Sequence, residues 1–369
     1  MIARGRIFVF IDEFQKVARI TELVKLFYES GSEIKFVLTG SSSMLIADKI
    51  SESLLGRTET FILYPFSFRE FLSISASDWP FSLSLSTSSE VVQRFLIAPE
   101  AAFADVQEHY SQNHYAYQSI VSQQLPRYLL TGGYPQAALA ANSEEAFLRL
   151  KEIKQTFVEK DIVSLLRIEK LAAFDRCLRM LALQSGMLIQ YNDLQTGIGV
   201  NFQTIKQFLN IVEATYFWSP IQVYSTNRIS TIKKRPKAYF SDLGMRNYLA
   251  STFDRTQLEK EKGEIAENFV YLHLLRLQQY RLKGMAKLAF WRSPDGNEVD
   301  FVLGSGANVL PIEVKFQKSG QVKIQRGFHI FLRKLELEQA IVVSNSTLEE
   351  RRTSECRIFI IPIVLLGMV

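Results

Sequence analysis

Two apolar segments near the N-terminus limit the possible folds of this chain more than any other feature. Ile7–Ile11 is wholly apolar, Ile34–Leu38 is mostly so, and each is short enough to be a buried strand. Between them, apolar residues recur at helical spacing from Val17 to Phe27, and Gly31 ends that segment. Strand, helix and strand in this order predict a parallel sheet covered by helices, the start of an α/β domain.

The first strand ends in two adjacent carboxylates, Asp12 and Glu13. One interpretation is structural, because a carboxylate at a strand-to-helix turn can cap the helix that follows. The other is chemical, because a strand ending in Asp-Glu resembles the element of P-loop ATPases that supports Mg²⁺ and polarises the attacking water. The pair alone leaves both interpretations open.

The surrounding motifs strengthen the second interpretation. The chain resembles bacterial and archaeal predicted ATPases of the AAA-like, P-loop class that carry a C-terminal domain of uncharacterised function. The segments that carry the resemblance are Phe10–Lys16, Leu38–Ser42, Leu55–Arg57 and Tyr64–Phe71, and later segments match as well. The resemblance covers nearly the whole chain.

This resemblance implies a role for individual residues at a nucleotide site. Asp12 would support the Mg²⁺ and Glu13 would polarise water. Ser41 or Ser42 would be the polar sensor that contacts the cofactor, and Arg57 would act on phosphate. The implied cofactors are ATP and Mg²⁺.

One part of such a site is missing from the sequence. No Gly-x-x-x-x-Gly-Lys-Ser/Thr pattern, whose backbone N–H groups would cradle the phosphates, occurs in the 369 residues. By the resemblance, this loop with its strand and helix would precede residue 1, so we expect a truncated ATPase core. The main phosphate contacts would then be absent, and we predict little ATP turnover by this chain.

The length of 369 residues allows two or three domains, and we predict four segments. These are an ATPase core at 1–72, a serine-rich connection and helical region at 73–173, a winged helix at 174–252, and a restriction-endonuclease-like α/β domain at 253–369. The fold class is thus multidomain α/β plus α. Two cysteines cannot build a disulfide framework, and no apolar run reaches the roughly 20 residues needed to span a bilayer. We therefore predict a cytoplasmic protein with no membrane partner.

The third segment has the pattern of a helix-turn-helix followed by a hairpin. Asn201 is a candidate N-cap of the second helix, and strands at Phe217–Tyr224 and Lys237–Phe240 would form the wing. Basic side chains that could neutralise phosphates lie on the recognition helix and the wing: Lys206, Arg228, Lys233, Lys234, Arg235 and Lys237. DNA is therefore one expected partner, although winged helices also bind proteins and a cationic hairpin can simply be solvated. The net charge of +5 does not decide between these alternatives.

The last segment brings together a second set of chemical groups. Residues i and i+2 of a strand share one face, so Glu313 and Lys315 point the same way, and Asp300 on a neighbouring strand would join them. This pattern resembles the PD-(D/E)xK nucleases, with Glu267 as a further carboxylate on a helix. Carboxylates Glu267, Asp300 and Glu313 could hold Mg²⁺, and Lys315 could orient a metal-bound water. The alternatives are an ion-paired cluster that only stabilises the fold, and binding without cleavage.

Three functional hypotheses follow from these patterns. The first is an ATPase-family protein that acts with nucleic acid, and the second is a Mg²⁺-dependent nuclease. The third is a non-enzymatic module that binds DNA or a protein, and a protein partner or a homo-oligomer is compatible with each.

Overall fold

The computed structural model describes residues 7–17, 19–40, 54, 56–75, 83–157, 170–225, 234–306, 308–316, 321–354 and 356–369. Its strands are β1 Ile7–Ile11, β2 Ile34–Leu38, β3 Trp218–Ile221, β4 Lys237–Phe240, β5 Lys287–Arg292, β6 Glu298–Ser305, β7 Asn308–Lys315, β8 Gln339–Ser344, β9 Glu349–Arg352 and β10 Arg357–Pro362. Its α-helices are α1 Ile20–Glu29, α2 Phe68–Ser75, α3 Leu85–Ile97, α4 Pro99–Gln112, α5 His114–Ser119, α6 Leu125–Thr131, α7 Pro135–Ala138, α8 Ser143–Thr156, α9 Leu171–Leu183, α10 Tyr191–Ile198, α11 Phe202–Ala214, α12 Leu243–Ala250, α13 Arg255–Lys260, α14 Lys262–Arg276, α15 Arg326–Lys334 and α16 Ile363–Leu366. The chain is a mixture of helices and sheets, as its sequence predicts.

The N-terminal segment contains the expected parallel pair of strands. β1 and β2 pair in parallel, with Ile7 opposite Ile34 and Ile11 opposite Leu38. The apolar side of α1 lies against this pair in a small core that contains Phe14. A short 3₁₀ turn occupies Phe14–Lys16, and the helix begins at Ile20, directly after Arg19 in a left-handed conformation. Part of the apolar surface of β1 is exposed to solvent, and the Phe10 side chain is 73% exposed.

A layer of helices, α2 to α8, follows this sheet. The serine-rich stretch 73–89 differs from the predicted exposed connection over part of its length. α3 begins at Leu85, where Ser84 accepts a hydrogen bond from the Thr87 N–H, and both Ser88 and Ser89 are buried. Serine is a strong N-cap because its hydroxyl satisfies a free backbone N–H at the start of a helix, and this cap outweighs the loop-like composition.

Three helices and a two-stranded antiparallel hairpin come next. α10 and α11 are joined by Gly199 in a left-handed conformation, and the side chain of Asn201 accepts a 2.8 Å hydrogen bond from the Thr204 N–H. This confirms the predicted N-cap. α9 packs on α11 through the rings of Phe174 and Phe208, and β3 and β4 pair antiparallel behind them. The helices and the hairpin follow one another in the order that the sequence predicts for this segment.

The C-terminal part contains a six-stranded mixed sheet in the order β5-β6-β7-β8-β10-β9. β5, β6 and β7 form an antiparallel meander, and β8 and β10 continue it in parallel. Helices cover both faces, with α14 and α16 in one core and α15 in another. The central strands are therefore buried on both sides, which explains their long apolar runs.

The final apolar run, 358–365, is continuous enough to predict a single buried strand, but the structure divides it into a strand and a helix. β10 ends at Pro362, and Ile363–Leu366 turns into α16. Proline has no N–H to continue a ladder of hydrogen bonds, and its fixed φ suits the position just before a helix. The segment is buried as expected.

Candidate functional site

Two of the N-terminal candidates, Asp12 and Glu13, follow the carboxyl end of β1 and contact Thr39 at the end of β2. The Thr39 hydroxyl, directly after β2, donates to the Asp12 carboxylate, and the Glu13 N–H donates to that hydroxyl over 3.3 Å. Glu13 also accepts a 2.6 Å hydrogen bond from Gln15 and lies 3.5 Å from the Lys16 ammonium. Both carboxylates are reachable from solvent, which a role at a nucleotide requires.

The structure does not bring Arg57 to these carboxylates. Its guanidinium pairs with Glu29 at 3.1 Å and lies over the Tyr28 ring at 5.9 Å. Ser41 and Ser42 lie outside the described residues. The predicted roles of all three residues at a nucleotide stay predictions.

The C-terminal candidates lie on adjacent strands, Asp300 in β6 and Glu313 and Lys315 in β7. The Lys315 ammonium is 2.6 Å from Glu313 Oε1, and the Val314 N–H donates to Asp300 Oδ2 over 2.8 Å. The Asp300 N–H faces Glu313 Oε2 at 3.4 Å. The three side chains therefore converge, as the strand spacing predicts.

An irregularity in β6 helps to set the direction of Asp300. The register with β5 shifts here. Ala289 pairs with Val302 and Trp291 pairs with Val299, so β6 has one residue more than β5 over this stretch. Asp300 lies within the shifted stretch. Such bulges redirect side chains and are common beside functional sites.

Burial makes the electrostatics of these carboxyls unusual. Loss of solvent, followed by the nearness of Glu313 and Glu267, raises the pKa of Asp300 well above its ordinary value. Burial likewise raises the pKa of Glu313, although Lys315 opposes the effect. Negative charge is thus crowded and costly here, and an added cation would relieve it.

Glu267, on α14, borders this group and has its own partners. Its Oε1 accepts a 3.0 Å hydrogen bond from Lys237 and a 2.5 Å hydrogen bond from the Tyr239 hydroxyl. Lys237 also pairs with Glu298 at the start of β6, and the other oxygen of Glu298 lies 2.7 Å from Arg292. Among the described residues, no three His, Cys, Asp or Glu side chains are arranged so that together they could hold a metal ion.

The predicted nucleic-acid residues divide into two groups. Lys206 on α11 is exposed and lies over the Phe202 ring at 4.8 Å, and Lys234 and Arg235 are exposed beside the hairpin. Arg228 and Lys233 lie outside the described residues.

Lys237 differs from the exposed wing position predicted for it, because it is only 4% exposed and is enclosed by carboxylates. A side chain held in this way does not lie on the surface that would meet DNA. One signal in the sequence could have indicated it: Lys237 alternates with Tyr239 in a short, otherwise apolar strand, so the two share a face.

Comparisons with known proteins relate parts of the chain to families. Residues 1–72 match the AAA domain model. Residues 122–256 and 262–366 match two domains of unknown function, DUF8612 and DUF4143 respectively. The first and last of these matches support a relationship to AAA-like ATPases.

The curated relatives are themselves uncharacterized proteins. One from Mycobacterium tuberculosis is 25% identical over 59% of this chain and 48% of its own length. One from Haemophilus influenzae is 22% identical over 85% of this chain and 67% of its own length, and one from Methanocaldococcus jannaschii is 23% identical over 96% and 73%. This chain thus spans about half the length of the mycobacterial relative. No solved structure matches it, and no helix in the described part is both long and apolar enough to cross a membrane.

Proposed function

We propose that the C-terminal domain cleaves phosphodiester bonds with the help of one divalent metal ion. The observation that carries this proposal is the convergence of Asp300, Glu313 and Lys315 at neighbouring positions of β6 and β7. Two carboxylates beside an ammonium form a donor set suited to Mg²⁺ and a phosphate substrate. The order of elements, a helix, three antiparallel strands, a helix and a parallel strand, is compatible with the predicted nuclease-like domain.

The residues present fit such an ion. Mg²⁺ is commonly held by one or two protein carboxylates, with water and substrate phosphate completing its octahedron. Asp300 and Glu313 would be the protein ligands, and their crowded negative charge favours a cation between them. When bound, the ion would polarise a phosphoryl oxygen and lower the pKa of a bound water.

Lys315 would act as a cationic group at the same site. Its side chain is 13% exposed and is fixed by Glu313, so its ammonium is held in place before substrate arrives. A held ammonium can orient the attacking water and stabilise the negative charge that develops on phosphate.

Nucleic acid is the proposed substrate because of the helices and hairpin that adjoin the site. α10, α11 and the β3–β4 hairpin have the element order of a winged helix, and Lys206 and Lys234 are exposed on it. Such groups would contact the phosphate backbone. We therefore propose DNA as the substrate class and this unit as the binding surface.

The test is cleavage of single- and double-stranded DNA by the purified full chain with Mg²⁺ or Mn²⁺. We expect cleavage that EDTA abolishes and that Asp300→Asn and Lys315→Met each reduce by about 100-fold or more. Asp295→Asn, in the exposed turn between β5 and β6, is the matched control and should leave the rate unchanged. Intact DNA under all conditions, with Asp300→Asn altering only stability, would instead identify an ion-paired structural cluster.

DNA binding without cleavage is measured in the same experiment. Binding that weakens as salt rises and on loss of Lys206 or Lys234 would support a nucleic-acid-binding module. Salt-insensitive binding to a protein would contradict the proposed substrate.

The contact between Asp12 and Thr39 favours a second function, in which the N-terminal segment acts on a nucleotide. This contact lies at the carboxyl ends of two parallel strands, where α/β sheets bind ligands. Because the 369 residues contain no phosphate-loop pattern, we expect little ATP turnover by this chain. Robust Mg²⁺-dependent hydrolysis that is lost in Glu13→Gln would refute that expectation.

A further inference from the structure

Lys237 enters the C-terminal site from a different unit of the chain. It begins β4 of the hairpin, whereas its two carboxylate partners, Glu267 and Glu298, begin or border the C-terminal sheet. The residues of this contact also fall in separate family matches, with Lys237 in 122–256 and both carboxylates in 262–366. The site is therefore built from both matched regions.

The hairpin cannot easily withdraw this lysine. Asn268 on α14 accepts from the Phe240 N–H over 3.2 Å and donates to the Phe240 carbonyl over 2.9 Å. The Ser185 hydroxyl donates to the same Asn268 over 3.0 Å, and all three residues are buried. These hydrogen bonds fix β4 against α14, so the Lys237 ammonium has a set position.

Carboxyl groups outnumber cationic side chains around the site. Four carboxyl groups, those of Glu267, Glu298, Asp300 and Glu313, face three cations, those of Lys237, Arg292 and Lys315. Lys237 and Arg292 pair with the first two carboxylates, and Lys315 pairs with Glu313. Asp300 interacts with the charge of Lys237 without forming an ion pair with it.

Burial opposes a charge on Lys237, but Glu267, Asp300 and Glu298 outweigh burial and raise its pKa. The ammonium is thus a permanent cation between Glu267 and Glu298. It occupies a place where a divalent ion would otherwise find two carboxylates, whereas no described Lys or Arg lies within ion-pair distance of Asp300 beside Glu313.

We propose that the Lys237 ammonium fills a second cation position, so that the C-terminal site takes a single divalent ion, at Asp300 and Glu313. This inference rests on the proposed metal-dependent function. It also assigns a positioning role to Lys237, because Lys237 and the Tyr239 hydroxyl both engage Glu267 Oε1 and fix this carboxylate in place.

The experiment counts Mn²⁺ ions bound to the purified full chain by equilibrium dialysis and by electron paramagnetic resonance. The wild type should bind one ion at this site, and Asp300→Ala should lose it. Lys237→Met frees Glu267 and Glu298 and should bind a second ion, whereas Lys237→Arg should keep the count at one. Lys287→Met, on the exposed start of β5, removes a positive charge from the same sheet and should also bind one.

A double variant shows where the second ion binds. Lys237→Met combined with Glu267→Gln should return the count to one, because a carboxylate of the new position has been removed. If Lys237→Met does not fold, Lys237→Gln, which keeps a hydrogen-bond donor toward Glu267, carries the same expectation. Circular dichroism of each metal-free variant establishes that the counts come from folded protein.

The two proposals fail in different ways. An unchanged count of one ion in a folded Lys237→Met or Lys237→Gln variant overturns the role of Lys237 and leaves the metal site intact. A wild type that binds no Mn²⁺ overturns the proposed metal-dependent function, and an ion gained by Lys237→Met alone would still support the role of Lys237.

Discussion

His273, on α14, should make the protein sensitive to mild acid. Its ring is fully buried, Nδ1 lies 2.8 Å from the Phe269 carbonyl, and Nε2 lies 3.4 Å from the Phe68 N–H. The neutral ring that donates from Nδ1 and accepts at Nε2 satisfies both contacts. Protonation would place an N–H against the Phe68 N–H, so acid turns a favourable contact between α14 and α2 into a repulsive one.

The size of the effect follows from the pKa. Burial, with a contribution from Arg276, lowers the pKa of His273 from 6.5 to about 3. Because the folded-state pKa is the lower one, the folded protein binds fewer protons than the unfolded chain. This contribution to stability is complete above pH 6.5 and is lost as the pH falls toward 3. The shift predicts a loss of about 2 kcal/mol at pH 5 and about 4 kcal/mol at pH 3.

The assay is urea unfolding at pH 7.5 and pH 5.0, followed by circular dichroism. His273→Gln removes the titration, so its free energy of unfolding should fall by about 2 kcal/mol less than that of the wild type between the two pH values. The control His114→Gln changes an exposed histidine and should keep the wild-type difference. Equal pH differences for wild type and His273→Gln would refute the reasoning.

Two further substitutions, Gly244→Ala and Asp242→Ala, test the packing and capping of α12. Each is compared with a control substitution by the free energy of unfolding in urea. Gly244→Ala would place its Cβ 2.0 Å from the Thr131 carbonyl oxygen and should cost about 3 kcal/mol, whereas Gly263→Ala on α14 meets no atom within 4 Å and should stabilise by up to about 1 kcal/mol. Asp242→Ala removes a buried carboxylate that accepts from two backbone N–H groups at 2.6 and 2.8 Å, and should cost about 2–4 kcal/mol. Asp254→Ala removes an exposed helix cap and should cost about 1 kcal/mol; equal costs for the two aspartates would contradict the role given to burial.

Much of the local structure could be predicted because the apolar pattern is strong. The bounds of β1 and β2 follow from mainly apolar segments that end at polar or turn residues. The segment around Leu85 could not be predicted as well, since its serine content is typical of loops and its helix depends on a cap and on buried contacts. The turn after Pro362 was missed because an apolar run alone does not separate a strand from a short buried helix.

The candidate site likewise combines features that the sequence predicts with features that it does not. The proximity of Asp300, Glu313 and Lys315 follows from the alternation of side chains along neighbouring strands, and their chemical roles stay predictions. The basic stretch before Lys237 predicts a solvent-exposed wing, and only its alternation with Tyr239 in an otherwise apolar strand points to the buried position that the structure shows. The bulge at Asp300 also left no mark in the sequence.

By itself, therefore, the sequence determined the helices and strands that have a strong apolar pattern, and which ionisable groups the chain carries. Those properties depend on local spacing and on the chemistry of each side chain. Only the tertiary structure decided that Lys237 pairs with Glu267 and Glu298, that Arg57 pairs with Glu29, and that His273 is buried. The physical reason is that ion pairing and pKa depend on distance and on exclusion of water, and packing sets both between segments far apart in the chain.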